Sequence, residues 1–173
     1  SDVDSVKAII VNEGAKYSRK IIERLTEDAK KNGSKGLAWM KLQDGSFSGG
    51  ISKFFVDDLQ NEIIKNFQIE DEDLLLIIGD EKDIVLKVLG KLRTIVASME
   101  ELYDKSDFKP LWVTEFPMFD YDVNDDRYVA MHHPFTAPRD SDVDKLDKNP
   151  SSALSRGYDL TMNGHEIAGG SIR

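Results

Sequence analysis

Asp159 and Glu166 stand on either side of Asn163-Gly164, the strongest short-range hairpin signal in the chain, between the runs Tyr158 to Met162 and His165 to Ala168. A two-residue turn would oppose Met162 to His165, Thr161 to Glu166, Leu160 to Ile167 and Asp159 to Ala168. Side chains alternate across a strand, so Asp159, Thr161, Glu166 and Ala168 would share one face. The two carboxylates would then be diagonal neighbours, with Cα atoms roughly 7 to 8 Å apart, and could reach one hydrated Mg²⁺ or the phosphates it carries. The same pattern also describes two exposed acids on an edge hairpin. Gly169-Gly170 follows, a pair that marks a bulge or a place where something approaches the backbone. Arg173 closes the sequence with a guanidinium suited to a two-pronged grip on a carboxylate or phosphate, or simply with a solubilising end.

Other chemistries find less support. Met131-His132-His133-Pro134 is too compressed for a two-histidine metal site on one strand face, because adjacent side chains point oppositely, and it reads as structural. No serine has the Gly-x-Ser-x-Gly setting of an acyl-enzyme nucleophile. The absence of cysteine excludes disulfides, thiolate metal sites and a cysteine nucleophile, and suits a reducing cytoplasm. The 173 residues carry 32 acidic groups against 23 lysines and arginines, a net charge of -9, which disfavours indiscriminate nucleic-acid binding but allows a local basic patch. The longest apolar run, Leu74 to Ile78, is far short of the roughly 20 residues that span a bilayer, and the sequence opens on no secretory leader. No membrane association is expected.

These residues need a scaffold, and the chain is divided in how it could supply one. All five prolines and all three histidines lie from residue 110 onward. The first 110 residues hold 21 acidic and 17 basic groups, while the remaining 63 hold 11 and 6, so a boundary is expected near Lys109-Pro110. Residues 1–109 would form one domain and 110–173 a second.

In the first domain, residues 7 to 11 predict a strand, and Tyr17, Ile21, Ile22, Leu25 and Ala29 recur at helical spacing until Asn32-Gly33. Asp44-Gly45 predicts a hairpin within residues 36 to 55. Asp57 would cap a helix burying Leu59, Ile63 and Phe67. Leu74 to Ile78 reads as a central strand, and Asp80 or Asp83 would cap a long helix with Val85, Leu89, Leu92, Val96 and Met99 on one face. The order βαββαβα with an antiparallel hairpin points to an α+β fold, an antiparallel sheet with helices on one face. The run Glu70-Asp71-Glu72-Asp73 reads as a solvated loop, and Gly49-Gly50 as a hairpin end or bulge. Lys16, Arg19, Lys20 and Arg24 gather on the first helix, either as a solvated face or as a contact for an RNA backbone.

Three blocks carry a resemblance. They are Leu111-Trp112-Val113-Thr114-Glu115-Phe116-Pro117-Met118-Phe119, then Tyr128 to Pro138, then Tyr158-Asp159-Leu160 through Glu166 and Gly169-Gly170-Ser171-Ile172-Arg173. In order and spacing they resemble the catalytic domain of bacterial-type aspartyl-tRNA synthetases. The preceding residues, roughly 1 to 107, are similar to the insertion module of those enzymes, the GAD domain, which tRNA-dependent amidotransferase subunits share.

The resemblance implies a class II synthetase, which joins aspartate to ATP and passes the aspartate to its tRNA, with homodimeric family members. Residues 110–173 would then be a partial class II antiparallel-sheet segment. By position, it implies that His132 lies by the substrate aspartate, that Arg173 grips the aspartate side-chain carboxylate, and that Glu166 binds ATP through Mg²⁺ with Asp159 helping to hold the metal. It also has gaps: an anticodon-binding OB-fold, the dimer-interface motif and two arginine motifs for ATP have no counterpart here. The stretch is therefore expected to be a piece of an aspartate-tRNA ligase, inactive by itself. A different class is the alternative: a non-catalytic module that contacts tRNA or acts as a spacer, as in amidotransferase subunits.

Overall fold

The computed structural model describes residues 4–104 and 106–173. The chain forms two compact units, Ser1–Tyr103 and Asp104–Arg173. The division falls ahead of Pro110 because Asp107 and Lys109 are tied into the second unit. The Asn163 side chain accepts from Lys109 N at 2.9 Å and donates to Asp107 O.

In the first unit, β1 (Ser5–Val11), β2 (Ala38–Gln43), β3 (Ser46–Ser48) and β4 (Leu74–Asp80) make one antiparallel sheet in the order β1-β4-β2-β3. The β2-β3 turn is Asp44-Gly45 with φ of 52° and 74°, the left-handed pair that matches the twist of a hairpin. Helices α1 (Arg19–Lys31), α2 (Asp57–Phe67) and α3 (Lys82–Met99) complete it. Ser18 caps α1 by accepting from Ile21 N, and Gly33 at φ 111° ends it while Ser34 N bonds back to Ala29 O.

The α+β class and the antiparallel sheet are as the sequence implies, but helices cover both faces. Leu74, Leu76 and Ile78 of β4 pack with Leu25 of α1 and Val85, Val88, Leu89 and Leu92 of α3. Leu75 turns the other way, with Met40, Leu42 and Phe47, onto Ile63 and Ile64 of α2. A strand buried on both faces needs an unbroken apolar run, and Leu74 to Ile78 is that run.

Two local expectations fail. Neither Asp57 nor Asp83 caps a helix: the N-cap positions are Val56 and Glu81, without side-chain caps, and Asp80 instead accepts from Glu81 N. Leu59 and Phe67 are exposed while Ile63 and Ile64 face the sheet, because the adjacent isoleucines shift the apolar stripe of α2 sideways. The acidic run is not simply solvated. Asp73 is buried, accepting from Glu13 N and Glu70 N, and Asp71 accepts from Gly45 N.

The second unit contains β5 (Pro110–Thr114), β8 (Gly157–Met162) and β9 (His165–Ser171) as an antiparallel sheet in the order β5-β8-β9. Between them lie a hairpin of β6 (Phe119–Asp122) and β7 (Arg127–Ala130) and the short helix α4 (Lys145–Lys148). Ala153 is its one buried apolar residue among those described. No helix among the described residues is long and apolar enough to cross a membrane.

Candidate functional site

The hairpin β8-β9 turns at Asn163-Gly164, with φ of 51° and 84°, and begins as the sequence suggests, Met162 opposite His165 and Thr161 opposite Glu166. There the expected register ends. The pairing shifts between Leu160 and Thr161, so Leu160 faces Ala168 and Asp159 faces Gly169, with Ile167 as the extra residue of a β-bulge. Period-two alternation assumes one residue opposite one, and Gly169-Gly170 allows β9 to depart from it. Asp159 and Thr161 still share a face, and across from them now stand Gly169 and Glu166 rather than Ala168 and Glu166.

This shift brings the two carboxylates over the same point. A Cβ at Gly169 would lie 2.6 Å from Asp159 Oδ1 and 3.3 Å from Glu166 Oε1, so the missing side chain is the space both acids use. A Cβ at Gly170 would lie 2.9 Å from Tyr158 Oη, so the phenol lies across that glycine.

His132, Asp159, Glu166 and Arg173 all line a single recess of about 290 Å³. Phe116, His133, Thr136, Tyr158 and Ser171 line it too. Arg173 is carried there by backbone bonds on both sides of Ile172, whose N–H donates to Arg156 O and whose carbonyl accepts from Ala137 N. Its Nη1 approaches His133 Nδ1 at 3.3 Å. That nitrogen already accepts from Phe135 N at 3.1 Å, which assigns the neutral ring's proton to Nε2. His132 is half-buried, edge-on to Phe116 at 5.2 Å, and its Nε2 is enclosed without a hydrogen-bond partner. The alternation that sets two neighbouring histidines apart holds only in a strand. Residues 131–136 are turn and irregular backbone, so both rings line the recess.

In the loop that precedes β8, Asp142 is buried and accepts from Leu154 N at 3.0 Å. Its carboxyl is held down at about 2 by the Lys145 ammonium 2.7 Å away, then by that backbone N–H. Leu154 O in turn accepts from Arg139 N, closing the loop that leads into β8. The sequence points to neither Thr136 nor Asp142, and it suggests only a structural role for His133. The only signal for His133 was its place beside His132, and nothing in the spacing of Asp142 from Leu154 announces a side-chain to backbone bond.

The donors suit a hard cation. Two carboxylates converging on a space cleared of side chain offer oxygen ligands only, and Mg²⁺ commonly takes one or two carboxylates and completes its shell with water and phosphate. The basic cluster of α1 is less free than its charge suggests: Lys16 pairs with Glu100 at 2.7 Å and Arg19 with Glu23 at 2.9 Å. Lys20 and Arg24 form no ion pair among the described residues.

The chain belongs to the GAD domain family, whose model matches residues 1–89 and so covers most of the first unit. Over nearly its whole length it is also similar to bacterial aspartate–tRNA ligases. It is 46% identical over 170 residues to the aspartate–tRNA(Asp/Asn) ligase of Desulfotalea psychrophila, covering 98% of this chain and 28% of that protein. It is 42% identical over 170 residues to the aspartate–tRNA ligase of Clostridium beijerinckii, with the same coverage. The aspartate–tRNA(Asp/Asn) ligase of Bacillus mycoides is 46% identical over 169 residues, which are 97% of this chain and 29% of that one. The chain thus spans under a third of the length of these curated relatives, and the similarity runs through both units.

Proposed function

We propose that the chain is the GAD module and a part of the catalytic domain of an aspartate–tRNA ligase, and that the recess of the second unit is half of that enzyme's active site. The observation that carries this reading is the convergence of Asp159 and Glu166 over Gly169 in the same recess as Arg173. Joining aspartate to ATP places the amino acid's α-carboxylate against the α-phosphate, where charge builds at phosphorus in the transition state. Asp159 and Glu166 would hold Mg²⁺, which when bound neutralises phosphate charge and orients the nucleotide. Arg173 would receive the side-chain carboxylate of aspartate in a two-pronged pair that neutral asparagine cannot match. His133 holds that guanidinium from one side, leaving its other donors for substrate. His132 would stand beside the amino acid, its unpartnered Nε2 awaiting an acceptor or donor there.

Aspartate, ATP and the aspartate tRNA are then the substrates, the cytoplasm the setting, and a homodimer the assembly of the whole enzyme. The 173 residues alone should give no aspartate-dependent ATP–pyrophosphate exchange, since the arginine motifs that complete the ATP site have no counterpart in them. In the full-length ligase, Arg173→Leu should raise KM for aspartate by about 100-fold, the loss of a two-pronged charge-assisted pair. Unchanged exchange kinetics in that variant would overturn the assignment.

A further inference from the structure

The first unit has a recess of its own, about 520 Å³, between α1 and β2. Arg19, Ile22, Glu23 and Thr26 form one wall, successive turns of a single helix face, and Trp39 and Lys41 form the other. Its floor is aromatic and fixed. The Trp39 indole is backed by Gly49 and Gly50, where a Cβ would fall 2.5 Å from Cζ3 and 3.0 Å from Cδ2, and the Trp39 carbonyl accepts from Ile51 N. Gly49-Gly50 is therefore the seat of an indole rather than a mere hairpin end.

The cation at its edge is fixed as well. Lys41 Nζ donates to the carbonyls of Ala15 at 2.6 Å and Tyr17 at 2.8 Å, and stands 6.0 Å from the indole centroid. Carbonyls orient an ammonium without cancelling its charge, and Lys41 has no carboxylate partner among the described residues. One of its three donors is unused. Arg19 lies at the rim with a highly exposed side chain; its Nε donates to Glu23 at 2.9 Å while its two Nη groups have no partner among the described residues, so the lining sums to two cations and one anion. An immobilised aromatic plane beside an oriented, unneutralised ammonium, in a volume that suits a nucleotide, is the chemistry of base stacking coupled to phosphate contact.

We propose that this recess binds one unpaired nucleotide, its base against Trp39 and its phosphate on Lys41 and Arg19, with single-stranded RNA as the source. Lys20 and Arg24, further round α1, would meet flanking phosphates. The site is independent of the active-site reading, which stands or falls on the second unit.

The 173-residue chain has two tryptophans, so Trp112→Phe leaves Trp39 as the reporter. Titration with single-stranded hexauridylate at low salt should quench Trp39 fluorescence saturably, and affinity should fall as salt rises. Lys41→Gln and, separately, Arg19→Gln should weaken binding by about tenfold or more and lower the salt slope by about one. Arg19 is too exposed for its loss to unfold the domain, so that variant keeps the test sound if Lys41→Gln is poorly folded. Saturable quenching by uridine monophosphate, lost in the same variants, with none by the oligomer, would overturn RNA as the source. No quenching by either ligand, or quenching indifferent to both substitutions, would overturn the site.

Discussion

A methyl group at position 169 would compete with two carboxylates for one space. The nearest atom it would meet is the end of the Asp159 side chain, which can swing away, so Gly169→Ala should fold normally. What it should lose is the geometry: Asp159 displaced by about an ångström should cost the full-length ligase about 100-fold in aspartate-dependent pyrophosphate exchange. Circular dichroism and the exchange assay on one preparation separate the two effects. Asp142 gives a prediction of another kind. Its folded pKa of about 2 lies below its unfolded value, so it favours the folded state at pH above about 4, and that contribution disappears as pH falls through 2. Thermal melts of the wild type should therefore steepen in pH dependence between about 4 and 2, and Asp142→Asn should flatten that part of the profile.

At the scale of elements, α2 is the least tightly held helix of the first unit, for none of its residues is fully buried. Leu59→Ala should cost no more than about 1 kcal/mol, because about two fifths of that residue's surface is already in solvent. Leu92→Ala on α3, at 1% exposure, should cost about 2 to 5 kcal/mol through lost burial and a residual cavity. Urea denaturation of the two variants measures the contrast. The four strands of the first unit, the β8-β9 hairpin, the three long helices and both two-residue turns were legible in the sequence because periodicity and left-handed turn residues are local signals, whereas β5, β6 and β7 carried no such pattern. The tilt of α2 was not, since Leu59-Ile63-Phe67 and Ile63-Ile64 offer rival stripes and only the sheet beneath chooses between them. The pairing of Asp159 and Glu166 was legible in the residues and wrong in its register. A bulge is decided by what packs around it, and Ile167 looks like any other strand residue. The placing of the two histidines on opposite sides failed for a related reason, since strand alternation does not apply to the turn and irregular backbone of residues 131–136.

On the scale of the whole molecule the two units are held by different means. Among the described residues, the first buries 20 of the 21 core apolar residues, on both faces of its sheet. The second relies on hydrogen-bonded ladders, loop closures such as Asp142 to Leu154, and Ala153. Residues 1–103 expressed alone should therefore unfold cooperatively and protect the amides of β4 strongly. Residues 104–173 expressed alone should show rapid exchange throughout and no sharp melt. Hydrogen exchange on the two pieces checks this, and slow exchange in β8 of the isolated second piece would contradict it.

That asymmetry matters on the ribosome, where chains emerge at about 5 to 20 residues per second. The GAD unit can close its core while the rest is still being made. The stretch after it cannot, and it comes out with Leu111, Trp112 and Ile167 exposed on β5 and β9, strands whose outer edges pair with no further strand among the described residues. A pause in synthesis at this stage would leave a folded module tethered to an aggregation-prone sheet.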